Sequence, residues 1–173
     1  MNGGSTILNE YPVHTDRERT KIFIGDVKVD MIFVIDDTGN MQEEIDAVVS
    51  AIKKFIAEID PSTAPSIALV TFKNDVKVRA ATTDPTVLLQ AVENIIVSGG
   101  GTCPEASAEA LALAIKHLKE GGVILLATDA SPFDDADIEQ LATLIQSKDM
   151  KFHTIITGDC TNQSDWNALP SGE

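Results

Sequence analysis

The sequence predicts a three-layer, doubly wound α/β domain: a mostly parallel central sheet with one antiparallel edge strand, covered by helices on both faces. Three features lead there. Continuous apolar runs such as "DMIFVID" and "GVILLATD" suit strands that are covered on both sides. Segments with apolar residues three and four apart lie between them, giving the strand–helix alternation of a parallel sheet. "SIALVTF" and "VKVRAAT" are parted only by "KND", a turn short enough to make an antiparallel hairpin.

Residues 1–28 read as an N-terminal extension. Met1 to Ser5 resemble a remnant of expression cloning, and "NEYPVHTDRERT" is irregular and charged. "KIFIGDVKV" has the pattern of a short strand pair or an extra edge strand. Residues 29–173 form the domain, which opens with the strand "DMIFVID". In "MQEEIDAVVSAIKKFIAEID", Ile45, Val48, Val49, Ile52, Phe55, Ile56 and Ile59 make one buried stripe of a helix. That helix stops at Asp60–Pro61, since proline disfavours helical geometry in the residue before it. The hairpin follows. "DPTVLLQAVENI" then reads as a helix with Asp84 as N-cap and Pro85 at its first position. "EASAEALALAIKHLKE" is an alanine-rich helix expected to end at Gly121–Gly122. The strand "GVILLATD", a helix over "DDADIEQLATLIQSKD" with Asp134 and Asp135 in its first turn, and the strand "KFHTIIT" complete the series.

Composition narrows the class of function. With 173 residues, 43% hydrophobic and 23% charged, the chain is an ordinary globular one with enough material for one core. No apolar run is long enough to span a bilayer, and "MNGGST" lacks the basic and apolar regions of a signal peptide. The net charge is −14, from 27 acidic and 13 basic residues, which repels nucleic acid and anionic lipid and suits cations and basic partner surfaces. Neither nucleic-acid binding nor membrane insertion is expected. Cys103 and Cys160 fit two free thiols in a cytosolic protein or one bridge in a secreted one, and composition leaves both open. His14, His117 and His153 share no spacing that suits a site.

In open α/β sheets, ligands bind beyond the carboxyl ends of the strands. Three loops of that kind carry chemistry: "DDTGNM" after the first strand, "SGGGTCPE" before the alanine-rich helix, and "TDASPFDD" after "VILLA". Together they supply carboxylates, hydroxyls and an amide, with no histidine. Oxygen donors of this kind favour Mg²⁺, with Mn²⁺ or Ca²⁺ as alternatives, over zinc.

The three loops together resemble the von Willebrand factor type A domain and its metal-ion-dependent adhesion site (MIDAS). The pairing of "GGGTCPE" with "ITGDC" is similar to hemicentin-type A domains and their bacterial relatives, which carry "GGGDCPE" and "TGDC". The resemblance implies a Rossmann-like fold and a metal held by Asp36, Thr38, Asn40, Thr102 and Asp129. Asp37 falls on the variable position of the first motif, as a neighbour and not a ligand. Asn40 stands where the family has serine, a departure that puts the metal's affinity and geometry in question. A Cys103–Cys160 disulfide is likewise implied. Family members continue through another helix, a strand and a closing helix, so this chain looks short of its C-terminal strand and helix. The implied function is non-enzymatic: recognition of a protein ligand that supplies a carboxylate to the metal, at a cell surface or in extracellular matrix, or in cytoplasmic assemblies.

Two rival readings stand beside this one. A Mg²⁺-dependent phosphohydrolase of haloacid-dehalogenase type needs an Asp-x-Asp motif and a lysine at the site. Thr38 occupies the second position, and no lysine is expected in the loops near the site. The other rival is a structural domain whose site is degenerate and empty because of Asn40.

Overall fold

Strand β1 (Val29–Asp36) lies in the middle of a five-stranded sheet. The computed structural model describes residues 28–99, 105–160 and 169, with the backbone alone at Asn40 and over 157–160. "KIFIGDVKV", apart from its last two residues, and the expectation of a missing C-terminal strand and helix lie outside the described residues. The other strands are β2 (Ile67–Phe72), β3 (Val76–Thr82), β4 (Leu118–Ala130) and β5 (Lys151–Cys160). Their order is β3-β2-β1-β4-β5, with β3 antiparallel to β2 and all other pairings parallel. The doubly wound α/β sheet and its antiparallel edge strand are therefore as expected.

The period-2 alternation of β1 sorts its apolar residues onto two faces. Ile32 and Val34 join the core on the side of helices α3 (Ser107–His117) and α4 (Ile138–Ser147), with Leu111, Ile124, Leu126, Leu141 and Ile145. Phe33 and Ile35 face the side of α1 (Gln42–Ala57) and α2 (Pro85–Glu93), with Ile45, Val48, Ile52, Leu88 and Val92. Of the predicted α1 stripe, Ile45, Val48, Ile52 and Ile56 are buried, while Phe55 lies at the margin, edge-on to Phe33. Asp84 caps α2 as expected, its carboxylate accepting from Thr86 N at 2.9 Å, with Pro85 at the first position. Among the described residues, no helix is long and apolar enough to cross a membrane.

Two boundaries differ from expectation. Helix α3 ends at His117, and β4 begins at Leu118, ahead of Gly121–Gly122. Leu118 is buried and pairs with Val29, and Lys119 Nζ reaches Asp30 Oδ1 at 2.9 Å. These long-range contacts pull "LKE" into the sheet against its helical pattern. Asp134 and Asp135 lie in a turn before α4, and the cap is Asp137, which accepts from Gln140 N at 2.9 Å.

What matters for function is where the sheet reverses. β1 connects through α1 to β2 on one side, and the chain returns past the hairpin to place β4 on the other. The carboxyl ends of β1 and β4 therefore flank the point where strand order switches, the place where α/β sheets bind ligands.

Candidate metal centre

Asp36 is the last residue of β1 and is fully buried. Its Oδ1 accepts from Thr38 N at 2.9 Å and from Thr38 Oγ1 at 2.7 Å. This local turn, in which an aspartate holds the backbone two residues on, takes the chain out of the strand. Its Oδ2 accepts from Thr128 Oγ1 at 2.9 Å, which the parallel β1–β4 register brings alongside. Asp129 follows on β4, 6% exposed, and also hydrogen-bonds Asp36. The structure thus brings together Asp36, Thr38 and Asp129. Thr102 lies outside the described residues, as does Cys103. For Asn40 only the backbone, in a single 3₁₀ turn (Gly39–Met41), is described. Cys160 pairs through its backbone with Ala130, one residue from Asp129.

The connecting loops are tied to one another by main-chain bonds. Ser98 N donates to Asp37 O at 3.1 Å, and Gly39 N to Gly99 O at 2.9 Å. Glu105 N donates to Ser131 O at 3.0 Å, and Ala106 N to Lys73 O at 2.7 Å. The first and third loops, the described ends of the second (Ser98, Gly99 and Glu105) and the hairpin turn therefore meet at one edge of the sheet.

This meeting reveals residues that the sequence pattern does not single out. Glu105 is 2% exposed, and its Oε2 lacks a hydrogen-bond partner among the described residues. Burial, followed by the charges of Asp36, Asp129 and Asp37, pushes its carboxyl up to about 8, against a smaller opposing pull from Lys73. In sequence it looks like a first-turn acid of the next helix, and nothing in "TCPEAS" distinguishes the two roles. Asp129 is pushed up to about 6 by burial, then by the Asp36 charge and their shared hydrogen bond. Thr128 escaped notice because a strand threonine has no visible partner until the register is known.

The expectation that no lysine approaches the site is overturned. Lys73, in the β2–β3 turn, brings Nζ to 3.8 Å from Asp37 Oδ1 and to 3.0 Å from Ser98 Oγ. The hairpin folds this residue back against the end of β1, a contact invisible at a sequence distance of 36 residues. Arg79 joins it, with Nη2 3.1 Å from Asp37 Oδ2 and Nε donating to Thr71 Oγ1 at 2.8 Å. Arg79 thus hydrogen-bonds one oxygen of Asp37, while Lys73 faces the other, which has no hydrogen-bond partner among the described residues.

A divalent cation fits this edge. Buried carboxylates pushed above their ordinary range, and a Glu105 oxygen with no partner among the described residues, suit a cluster that lacks a counter-charge. Among the described residues, no three His, Cys, Asp or Glu side chains close on one point as a ligand group. A metal here would accordingly draw on hydroxyl donors as well as carboxylates, which suits a hard cation.

A family model described as von Willebrand factor A domain matches residues 30–169. Hemicentin-2 of Mus musculus is 30% identical over 138 residues, which make up 78% of this chain and 3% of that protein. Human von Willebrand factor A domain-containing protein 7 is 30% identical over 147 residues, 83% of this chain and 16% of that protein. The chain thus spans only a small part of these relatives. Proximal thread matrix protein 1 from the mussel byssus shares the fold, with a TM-score of 0.67 at 18% identity over 82% of this chain and 39% of that one. A second structure of that protein, with its MIDAS motif occupied by zinc, gives a TM-score of 0.63 at 15% identity, over 83% of this chain and 41% of that one.

Proposed function

Because the chain belongs to the von Willebrand factor A domain family, we propose that it is a metal-dependent protein-recognition module, with residues 29–173 as the recognition domain. The observation that carries this reading is the meeting of Asp36, Thr38 and Asp129 at the switch point, in a cluster short of positive charge. These three, with Asn40 and Thr102, would hold a divalent cation, Mg²⁺ first and Mn²⁺ or Ca²⁺ as alternatives. Glu105 adds a further carboxylate beside them. When bound, the ion supplies a Lewis-acidic position that a carboxylate of another protein can occupy. The zinc-occupied motif of the mussel protein supports a metal at this edge of the fold.

The same family supports a place at a cell surface or in extracellular matrix. In an oxidising setting, Cys103 and Cys160 would form a bridge tying the second loop to the last strand.

Catalysis is not assigned. Lys73 supplies the cation that a phosphohydrolase would need. Yet Thr38 stands where such an enzyme carries its general acid, and a threonine hydroxyl is no general acid. The arrangement supports holding a cation better than attacking a phosphorus atom.

The test is thermal unfolding of chelated protein with and without millimolar Mg²⁺, Mn²⁺ or Ca²⁺, beside Asp36→Ala and Asp129→Ala. An ion that binds only the native state adds about 2.7 kcal/mol at a hundredfold excess over its Kd. A rise in wild type that both variants lose is the expected result. No rise with any ion would leave the empty structural domain as the better account.

A further inference from the structure

We propose that Lys73 is a positioning residue for the metal-binding edge, with Asp37 as its buried anchor; this rests on the metal-dependent reading above. Asp37 sits between two proposed ligands, Asp36 and Thr38, and its side chain is 4% exposed. A buried carboxylate must be paired, or it repels its neighbours and competes for whatever cation arrives. Arg79 holds Oδ2 at 3.1 Å, and Lys73 faces Oδ1 at 3.8 Å.

Lys73 does more than balance charge. Its ammonium donates to Ser98 Oγ at 3.0 Å, and its carbonyl accepts from Ala106 N at 2.7 Å. One residue of the hairpin turn therefore touches the chain on both sides of the 100–104 stretch. The ammonium link reinforces the pair of main-chain bonds that bind Ser98 and Gly99 to Asp37 and Gly39. Space there is tight: a Cβ at Gly39 would stand 3.1 Å from Gly99 O. A small displacement of Ser98–Gly99 is thus transmitted to the turn that carries Thr38.

Positioning and simple electrostatics make opposite predictions for Lys73. Removing a positive charge beside a cation site strengthens cation binding if charge alone matters. Removing a side chain that orients the ligand loop weakens it, and outer contacts of this kind are worth about ten-fold or more in metal affinity.

The test is Mn²⁺ titration of the full chain, read from the loss of the free-ion electron paramagnetic resonance signal. Melting of the chelated proteins reports folding separately. Lys73→Met is expected to bind Mn²⁺ about ten-fold more weakly, with Lys73→Arg restoring most of the affinity. Ser98→Ala, an exposed position where no charge changes, is expected to weaken binding in the same direction. Lys73→Met and Ser98→Ala both binding as tightly as wild type, or more tightly, would overturn the positioning role while leaving the metal site intact. Should Lys73→Met fail to fold, Ser98→Ala alone decides. Absence of Mn²⁺ binding in wild type would overturn the metal reading and this inference together.

Discussion

Replacing Glu105 with glutamine tests whether the carboxylates at this edge are crowded in the metal-free protein. The Glu105 carboxyl rises from 4.5 to about 8 on folding, through burial and the charges of Asp36, Asp129 and Asp37. A group whose pKa is raised on folding contributes stability that is fully present below its unfolded value. That contribution is lost as pH rises through the folded value. The window here is therefore pH 4.5 to about 8, and wild-type protein in chelator should weaken across it. One pKa unit corresponds to about 1.4 kcal/mol, so the full shift removes roughly 3 kcal/mol by pH 7. Dielectric relaxation at the end of the sheet lowers this to roughly 1–2 kcal/mol. Glutamine keeps the shape of the protonated acid without its titration. In urea denaturation with chelator, Glu105→Gln should match wild type near pH 5 and exceed it by roughly 1–2 kcal/mol at pH 7–8. Parallel stability curves for the two proteins over this range would refute the crowding, and with it the charge argument for a cation.

Three further outcomes follow from the same geometry. Stabilisation by Mg²⁺ should grow from pH 5 to pH 8, because protons held by Asp129 up to about 6 and by Glu105 up to about 8 compete with the ion; melting shifts at fixed Mg²⁺ across that range measure it. Gly39→Ala brings a methyl group to 3.1 Å from Gly99 O, and should cost about 1 kcal/mol in urea while reducing the response to divalent ions. Asp84→Ala removes the cap on Thr86 N and should cost about 1 kcal/mol with the divalent response unchanged, which makes it a control far from the site.

The fold was legible because its signals are local. Buried strands read as apolar runs, α2 announces itself with Asp84 and Pro85, and the three-residue turn makes the β2–β3 hairpin nearly obligatory. The convergence of Asp36, Thr38 and Asp129 was legible for a related reason. Polar residues at the ends of apolar runs stand out, and the topology guarantees that such ends converge. Long-range contacts were not legible. The register between β1 and β4 selects Thr128, and the folding-back of the hairpin selects Lys73. Leu118 moves from helix to strand because Val29 and Asp30 offer it and its neighbour better partners than the helix does. Glu105 fits two roles by sequence alone, and only burial separates them.

The two adjacent aspartates at the end of β1 meet different partners, and the neighbouring strands supply them. Alternation along a strand sends successive side chains to opposite faces of the sheet, and Asp37 lies one residue past the end of β1, where the turn sets its direction. Asp36 reaches toward β4, where Thr128 orients it beside Asp129. Asp37 reaches toward the hairpin, where Arg79 and Lys73 neutralise it. These directions lead to different structural neighbours: β4 on one side, the packed hairpin on the other. The first carboxylate can then stay short of positive charge and receptive to a cation. The second is paired internally and spends its charge on fixing the loop. Two carboxylates facing the same way would have contested one ion, and a neutral residue at position 37 would leave Lys73 and Arg79 facing the site as competing cations. On the proposed metal-dependent reading, the doubled aspartate is a ligand and its anchor, separated by one peptide bond.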